Sequence, residues 1–103
     1  MLRDELPKIK TAQLPGPKAA EIIERRKNIV PNAIRCVYPC VMAKAEGAII
    51  EDVDGNYFLD WIGGVGVLNV GHTNPALVEA VKKQAEKYFH GMFNCLLYTS
   101  DAA

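Results

Sequence analysis

The order of apolar and polar positions along the chain predicts an extended arm, a helix, a β-hairpin, a glycine-rich segment and a second helix. Residues 1–16 are polar and punctuated by proline, ending in Leu14-Pro15-Gly16, and read as an extended arm without a core of its own. From Lys18 to Asn28 the composition becomes helical, with Ala19, Ile22, Ile23 and the stem of Arg26 on one stripe. Pro17 suits the first helical position because it has no N–H to leave unpaired there, and Pro31 stops the helix. Val37-Tyr38 and Val41-Met42 suggest short extended pieces around Pro39.

Ala48–Val53 and Tyr57–Trp61 flank Asp54-Gly55-Asn56. Asp-Gly between two β-prone runs predicts a hairpin, since both residues tolerate the positive φ of a tight turn. Residues 63–72, Gly-Gly-Val-Gly-Val-Leu-Asn-Val-Gly-His, are almost uncharged, and the expectation is that they are buried or closely approached. Asn74 and Pro75 then open a second helix as cap and first residue. Leu77, Val78, Val81, Ala85 and Tyr88 lie on its apolar face, and Glu79, Lys82, Lys83 and Glu86 on its polar one. The fold class expected is α/β, as an α+β fragment: helix, antiparallel hairpin or small sheet, glycine-rich segment, then a helix.

Composition adds exclusions. With 103 residues the chain makes one small domain. Half its residues are hydrophobic and 23% are charged, the balance of an ordinary globular chain. Twelve basic residues offset twelve acidic ones, which gives no electrostatic footprint for nucleic acid or an anionic membrane. No apolar run approaches the roughly 18–20 residues of a membrane helix, and the charged N-terminus lacks a signal core, so the expected location is cytoplasmic. The cysteines Cys36, Cys40 and Cys95 are odd in number, which disfavours a disulfide framework. Reduced thiols in or near an apolar core are expected, and a zinc site is not, since C-x3-C supplies two of four ligands.

The residues alone name no chemistry. Gly66-x4-Gly71-His72-Thr73 has phosphate-loop spacing, but histidine replaces the lysine that carries the fixed charge. A dinucleotide fingerprint fails because position 69 is asparagine and no helix starts there. His72 is expected to order the turn before the second helix rather than to catalyse. Asp52, Asp54 and Asp60 are expected to serve turns and solvated faces.

Three motifs in order carry a resemblance. They are Glu46-Gly-Ala-Ile-Ile-Glu-Asp-Val-Asp-Gly-Asn-Tyr-Phe-Leu-Asp-Trp61, then Ile62-Gly-Gly-Val-Gly-Val-Leu-Asn-Val-Gly-His72, then Asn74-Pro-Ala-Leu-Val-Glu-Ala-Val-Lys-Lys-Gln84. Together they resemble the N-terminal part of class III, fold-type-I aminotransferases, closest in flavour to 4-aminobutyrate aminotransferases, over roughly Pro15 to Asn94. The resemblance implies a homodimeric enzyme that moves an amino group from an ω-amino acid to a 2-oxo acid through pyridoxal phosphate, the cofactor being the electron sink. It implies that Val65 and Asn94 are substrate-pocket positions. The family's Schiff-base lysine, its pyridine-pairing aspartate and its Gly-Ser phosphate cradle have no counterpart here. Lys82, Lys83 and Lys87 sit on the polar part of a helix, away from the desolvated pocket such a lysine needs. The segment itself is therefore expected to be inactive, with a free-standing binding module or structural subunit as the alternative.

The likeness stops after Asn94. The domain reading is an arm over residues 1–16, an incomplete aminotransferase segment over 17–94, and a non-native tail over 95–103. The tail begins Cys-Leu-Leu-Tyr-Thr-Ser, which TGT CTC TTA TAC ACA TCT encodes. That DNA resembles a transposase mosaic-end adapter, so the tail is expected to be adapter read-through, to be set aside from fold reasoning as a cloning scar would be.

Overall fold

The computed structural model describes residues 1–91. A 3-10 turn at Leu2–Asp4 opens the arm, and helix α1 follows at Pro17–Ile29. Strands β1 (Met42–Glu46), β2 (Ile49–Asp52) and β3 (Tyr57–Leu59) form an antiparallel sheet in the order β1-β2-β3. Helix α2 spans Pro75–Ala85. The α+β class is the one expected. No described helix is long and apolar enough to cross a membrane.

The hairpin forms where Asp54-Gly55 predicts it, with Ile49 opposite Leu59 and Glu51 opposite Tyr57. β1 is more than the short extended piece that sequence suggested. Its Met-Ala-Lys-Ala-Glu run has little β-propensity of its own. It pairs because β2 offers an open edge and because Lys44 Nζ lies 3.0 Å from Glu51 Oε2 across the register. A register shift between Met42 and Lys44 bends its first residue out of step. The arm is not free either, for Lys8 exchanges both backbone hydrogen bonds with Tyr57, at 2.9 and 2.8 Å.

The interior is small and partly polar. Ala19 and Ile49 are the buried apolar residues, and Asp52 and Asn56 are buried beside them. Asp52 therefore departs from the solvated role expected of it. A buried carboxylate is tolerable only when its oxygens are satisfied. Asp52 Oδ1 accepts from the amides of Asp54 (2.9 Å) and Asn56 (2.8 Å), and Oδ2 from Asn56 Nδ2 (2.9 Å). Asn56 Oδ1 in turn accepts from the amides of Lys10 (2.6 Å) and Thr11 (3.0 Å), which ties the arm to the hairpin.

Asp54 reaches the other way. Its carboxylate accepts from the amides of Lys18 and Ala19, both at 2.9 Å, and so caps α1 from a distant turn. Gly16, at the cap position, has no side chain to do so. A Cβ on Gly16 would fall 2.5 Å from Asp54 Cγ, which is why glycine stands there. Asn74 caps α2 as expected, its Oδ1 accepting from the Ala76 amide at 3.0 Å.

Three other expectations need correction. The apolar face of α2 is open, with Leu77, Val81 and Tyr88 more than half exposed, because no described element covers it. Cys36 is exposed rather than packed in a core. The glycine-rich segment is closely approached at Gly71, where a Cβ would fall 3.1 Å from the Gly47 backbone, but no described element buries most of the rest.

Candidate functional site

After β3 the chain turns back on itself with the opposite hand. Gly63, Gly64, Val65 and Gly66 have φ of 60°, 63°, 69° and 77°, a single left-handed turn. The amides of Gly66 and Val67 bond to the carbonyls of Ile62 and Gly63, both at 2.9 Å. Glycine enters this region freely, whereas a β-branched residue there is an outlier costing about 1–2 kcal/mol. Val65 is that residue, and it stands 86% exposed at the tip. No described residue covers this strained valine.

Asp60 and His72 sit at the base of the turn. Asp60 Oδ1 accepts from the amides of Ile62 (3.0 Å) and Gly63 (2.8 Å), the first donors of the turn. Its Oδ2 lies 2.6 Å from His72 Nε2. The amide of Gly63 foremost, and then the His72 imidazole, hold the Asp60 carboxyl below its ordinary range. An ionised carboxylate only accepts, so Nε2 carries the proton of that hydrogen bond. His72 also exchanges backbone bonds with Gly47, at 2.8 and 3.1 Å, and the Asp60 amide donates to Ala48 O at 2.8 Å. Both partners are therefore fixed to the β1–β2 turn.

Asp60 borders two cavities. One, of about 380 Å³, is apolar and lined by Leu14, Tyr38, Ile50, Phe58 and Trp61 among others. The other, of about 230 Å³, is an open hollow lined by Gly47, Gly63, Leu68 and His72 among others. No lysine or arginine lines either one, so these described residues do not by themselves form a pyridoxal phosphate site. Lys82, Lys83 and Lys87 are exposed. Cys40 is half-buried beside the apolar cavity, and burial above all, then the Asp52 charge and Cys36, pushes its thiol up, away from nucleophile chemistry.

Of the two pocket positions that sequence implied, Val65 stands at the tip of the turn and Asn94 lies outside the described residues. Sequence reading placed His72 at the turn before α2 but did not join it to Asp60, 12 residues earlier. The signal available was their place in the motifs of the resemblance, Asp60 next to the end of the first and His72 at the end of the second.

A model of the family "Aminotransferase class-III" matches residues 31–103. An alanine/serine racemase of Pyrococcus horikoshii is 43% identical over 89 residues, which is 85% of this chain and 19% of that protein. A probable 4-aminobutyrate aminotransferase of Bacillus subtilis is 41% identical over 75 residues, covering 73% of this chain and 17% of that one. An omega-transaminase structure from Sphaerobacter thermophilus superposes with a TM-score of 0.64 at 30% identity, over 77% of this chain and 19% of its own. The chain spans less than a fifth of the length of these relatives. With the motifs around the displayed turn and the fold of the sheet beneath it in agreement, the chain belongs to the class III aminotransferase family.

Proposed function

We propose that this chain is the N-terminal part of a pyridoxal-phosphate-dependent aminotransferase that passes the amino group of an ω-amino acid, 4-aminobutyrate or a near homologue, to a 2-oxo acid. The observation that carries this is Val65: a strained, exposed valine on a left-handed turn is costly unless its position serves a function. In this reading Val65 and Asn94 wall the pocket for the amine donor, and a small aliphatic side chain at position 65 suits a 4-aminobutyrate-like donor. The cofactor, when bound, supplies the electron sink; the lysine that attaches it belongs to the remainder of the enzyme. The working unit is a cytoplasmic homodimer; the family match runs through residue 103, and the adapter reading of residues 95–103 rests on the DNA that would encode them.

The test is transamination by the full-length enzyme with 4-aminobutyrate and a 2-oxo acid. Formation of the aldehyde and the 2-amino acid in equal amounts supports the reading; absence of both from a folded, cofactor-loaded enzyme refutes it. A second reading draws on the 43% identity to a racemase. Conversion of L-alanine to D-alanine without a 2-oxo acid would select it. For the 103-residue chain alone, added pyridoxal phosphate should give no protein-dependent visible absorption band. Resequencing across Asn94–Cys95 by an adapter-independent method tests the tail.

A further inference from the structure

We propose that Asp60 and His72 act as a positioning pair that sets where Val65 stands, and thereby help select the amine donor. The proposal rests on the reading of Val65 as a pocket residue. Among the described residues nothing packs on the Val65 side chain, which is 86% exposed, so they do not hold it through its own packing. Its place is set by the backbone of the left-handed turn. A strained turn persists only where its surroundings over-determine it. Its internal bonds close the loop but do not orient it on the sheet.

Orientation comes from Asp60. Among the described residues it is the one side chain hydrogen-bonded to the backbone of the turn, through the amides of Ile62 and Gly63. An Asp that only bonded those two amides would be a local turn device. The second carboxylate oxygen makes the difference. Its 2.6 Å contact with His72 joins the start of the turn to a residue on the far side of the glycine segment. His72 is itself fixed twice, by its backbone pair with Gly47 and by the neighbouring Thr73 Oγ1, which donates to Ala45 O at 2.9 Å. The glycine-rich segment that carries the turn is thus pinned at its entrance and its exit to one place on the sheet, between β1 and β2. The cavity at the base of the turn, lined by Gly47, Gly63 and Leu68, leaves room for the entrance to shift if the link is cut.

The experiment uses the full-length holoenzyme with His72→Ala, His72→Gln, Asp60→Asn, Val65→Ala and the Asp60→Asn/Val65→Ala double variant. Values of kcat and KM are measured for 4-aminobutyrate and for the homologue 5-aminovalerate. His72→Ala is expected to raise KM for 4-aminobutyrate about fivefold with kcat nearly unchanged, and to alter the preference between the two donors. His72→Gln, whose amide can still donate to Asp60, should restore most of both. In the Val65→Ala background Asp60→Asn should cost much less than in the wild type, because both act through one position. Additive effects, or a His72→Ala enzyme with unchanged donor preference, overturn the proposal. Should Asp60→Asn fail to fold, the His72 series decides alone. A wild type without transaminase activity refutes the functional reading instead. The positioning claim then stands or falls on crystal structures: an unmoved turn at Val65 in the His72→Ala enzyme overturns it.

Discussion

Two turns in this chain use aspartate and glycine to opposite ends. The hairpin turn at residues 52–56 has Gly55 at φ 85°, and its polar side chains are hydrogen-bonded, with Asp52 and Asn56 buried. Asp52, Asp54 and Asn56 together accept from six backbone amides, those of Asp54, Asn56, Lys18, Ala19, Lys10 and Thr11. The turn at 62–66 also begins on an aspartate that holds two amides, but it places a valine where only glycine is comfortable and leaves it in the open. The first turn spends its polar groups on joining arm, hairpin and α1. The second spends its stability on displaying one side chain. Positive φ marks both, and what the polar groups bond to tells them apart.

The sharpest way to break the comparison is at Asn56. Asn56→Ala strips the Lys10 and Thr11 amides of their acceptor and the buried Asp52 of a donor, at a position that is itself fully buried. The expected loss is about 2–4 kcal/mol, since each buried group left unpaired costs about 1–3 kcal/mol. Urea denaturation of the full-length enzyme measures it, and a loss below 1 kcal/mol, the scale of a surface change, would show that the network is not a stabilising one. Next is Gly16→Ala. The added methyl displaces the Asp54 carboxylate, which lies 2.5 Å from it, and uncaps α1. A loss of about 1–2 kcal/mol is expected, with faster hydrogen exchange at the amides of Lys18 and Ala19. Unchanged exchange there would mean that the cap does not hold the helix end.

A smaller pair of changes sets the turns directly against each other. Val65→Gly removes a β-branched residue from the left-handed region and should raise stability by about 1 kcal/mol. Gly55→Ala puts a Cβ into the same region, where nothing lies within 4 Å of it, and should lower stability by about 1 kcal/mol through backbone strain alone. Opposite signs in thermal denaturation are the expected result. If Val65→Gly also destabilises, Val65 makes contacts that outweigh its strain.

Much of this was legible in the sequence. Proline and the cap residues placed both helices, and Asp-Gly placed the hairpin, because these signals act within a few residues. What escaped were relations across distance. Asp54 capping a helix that begins 37 residues earlier leaves no local mark, and neither does Asn56 holding the arm at Lys10 and Thr11. β1 was faint because Lys44 and Glu46 carry no strand signal until a partner strand supplies one. The exposed glycine segment misled because apolar composition usually means burial. Here three glycines and Val65 bend the backbone outward. The family motifs pointed at Val65 as a pocket residue, but they gave no hint of the handedness that displays it.

The mildest test concerns the carboxylate beneath the displayed turn. The amide of Gly63 and the His72 imidazole depress the Asp60 pKa, so its folded-state value lies below that of the unfolded chain. Its contribution to stability is then fully present above the unfolded value, near 3.9. It is lost as pH falls through the folded one. Acid below about pH 4 should loosen the turn at 62–66. Hydrogen exchange at Ile62 and Gly63, the two amides that donate to Asp60, follows this locally. In Asp60→Asn the acid dependence at Ile62 and Gly63 should vanish, since no proton is left to bind there. If those two amides still open in acid with the aspartate gone, the protonation that matters lies elsewhere, and Asp60 is a passive acceptor in the turn it begins.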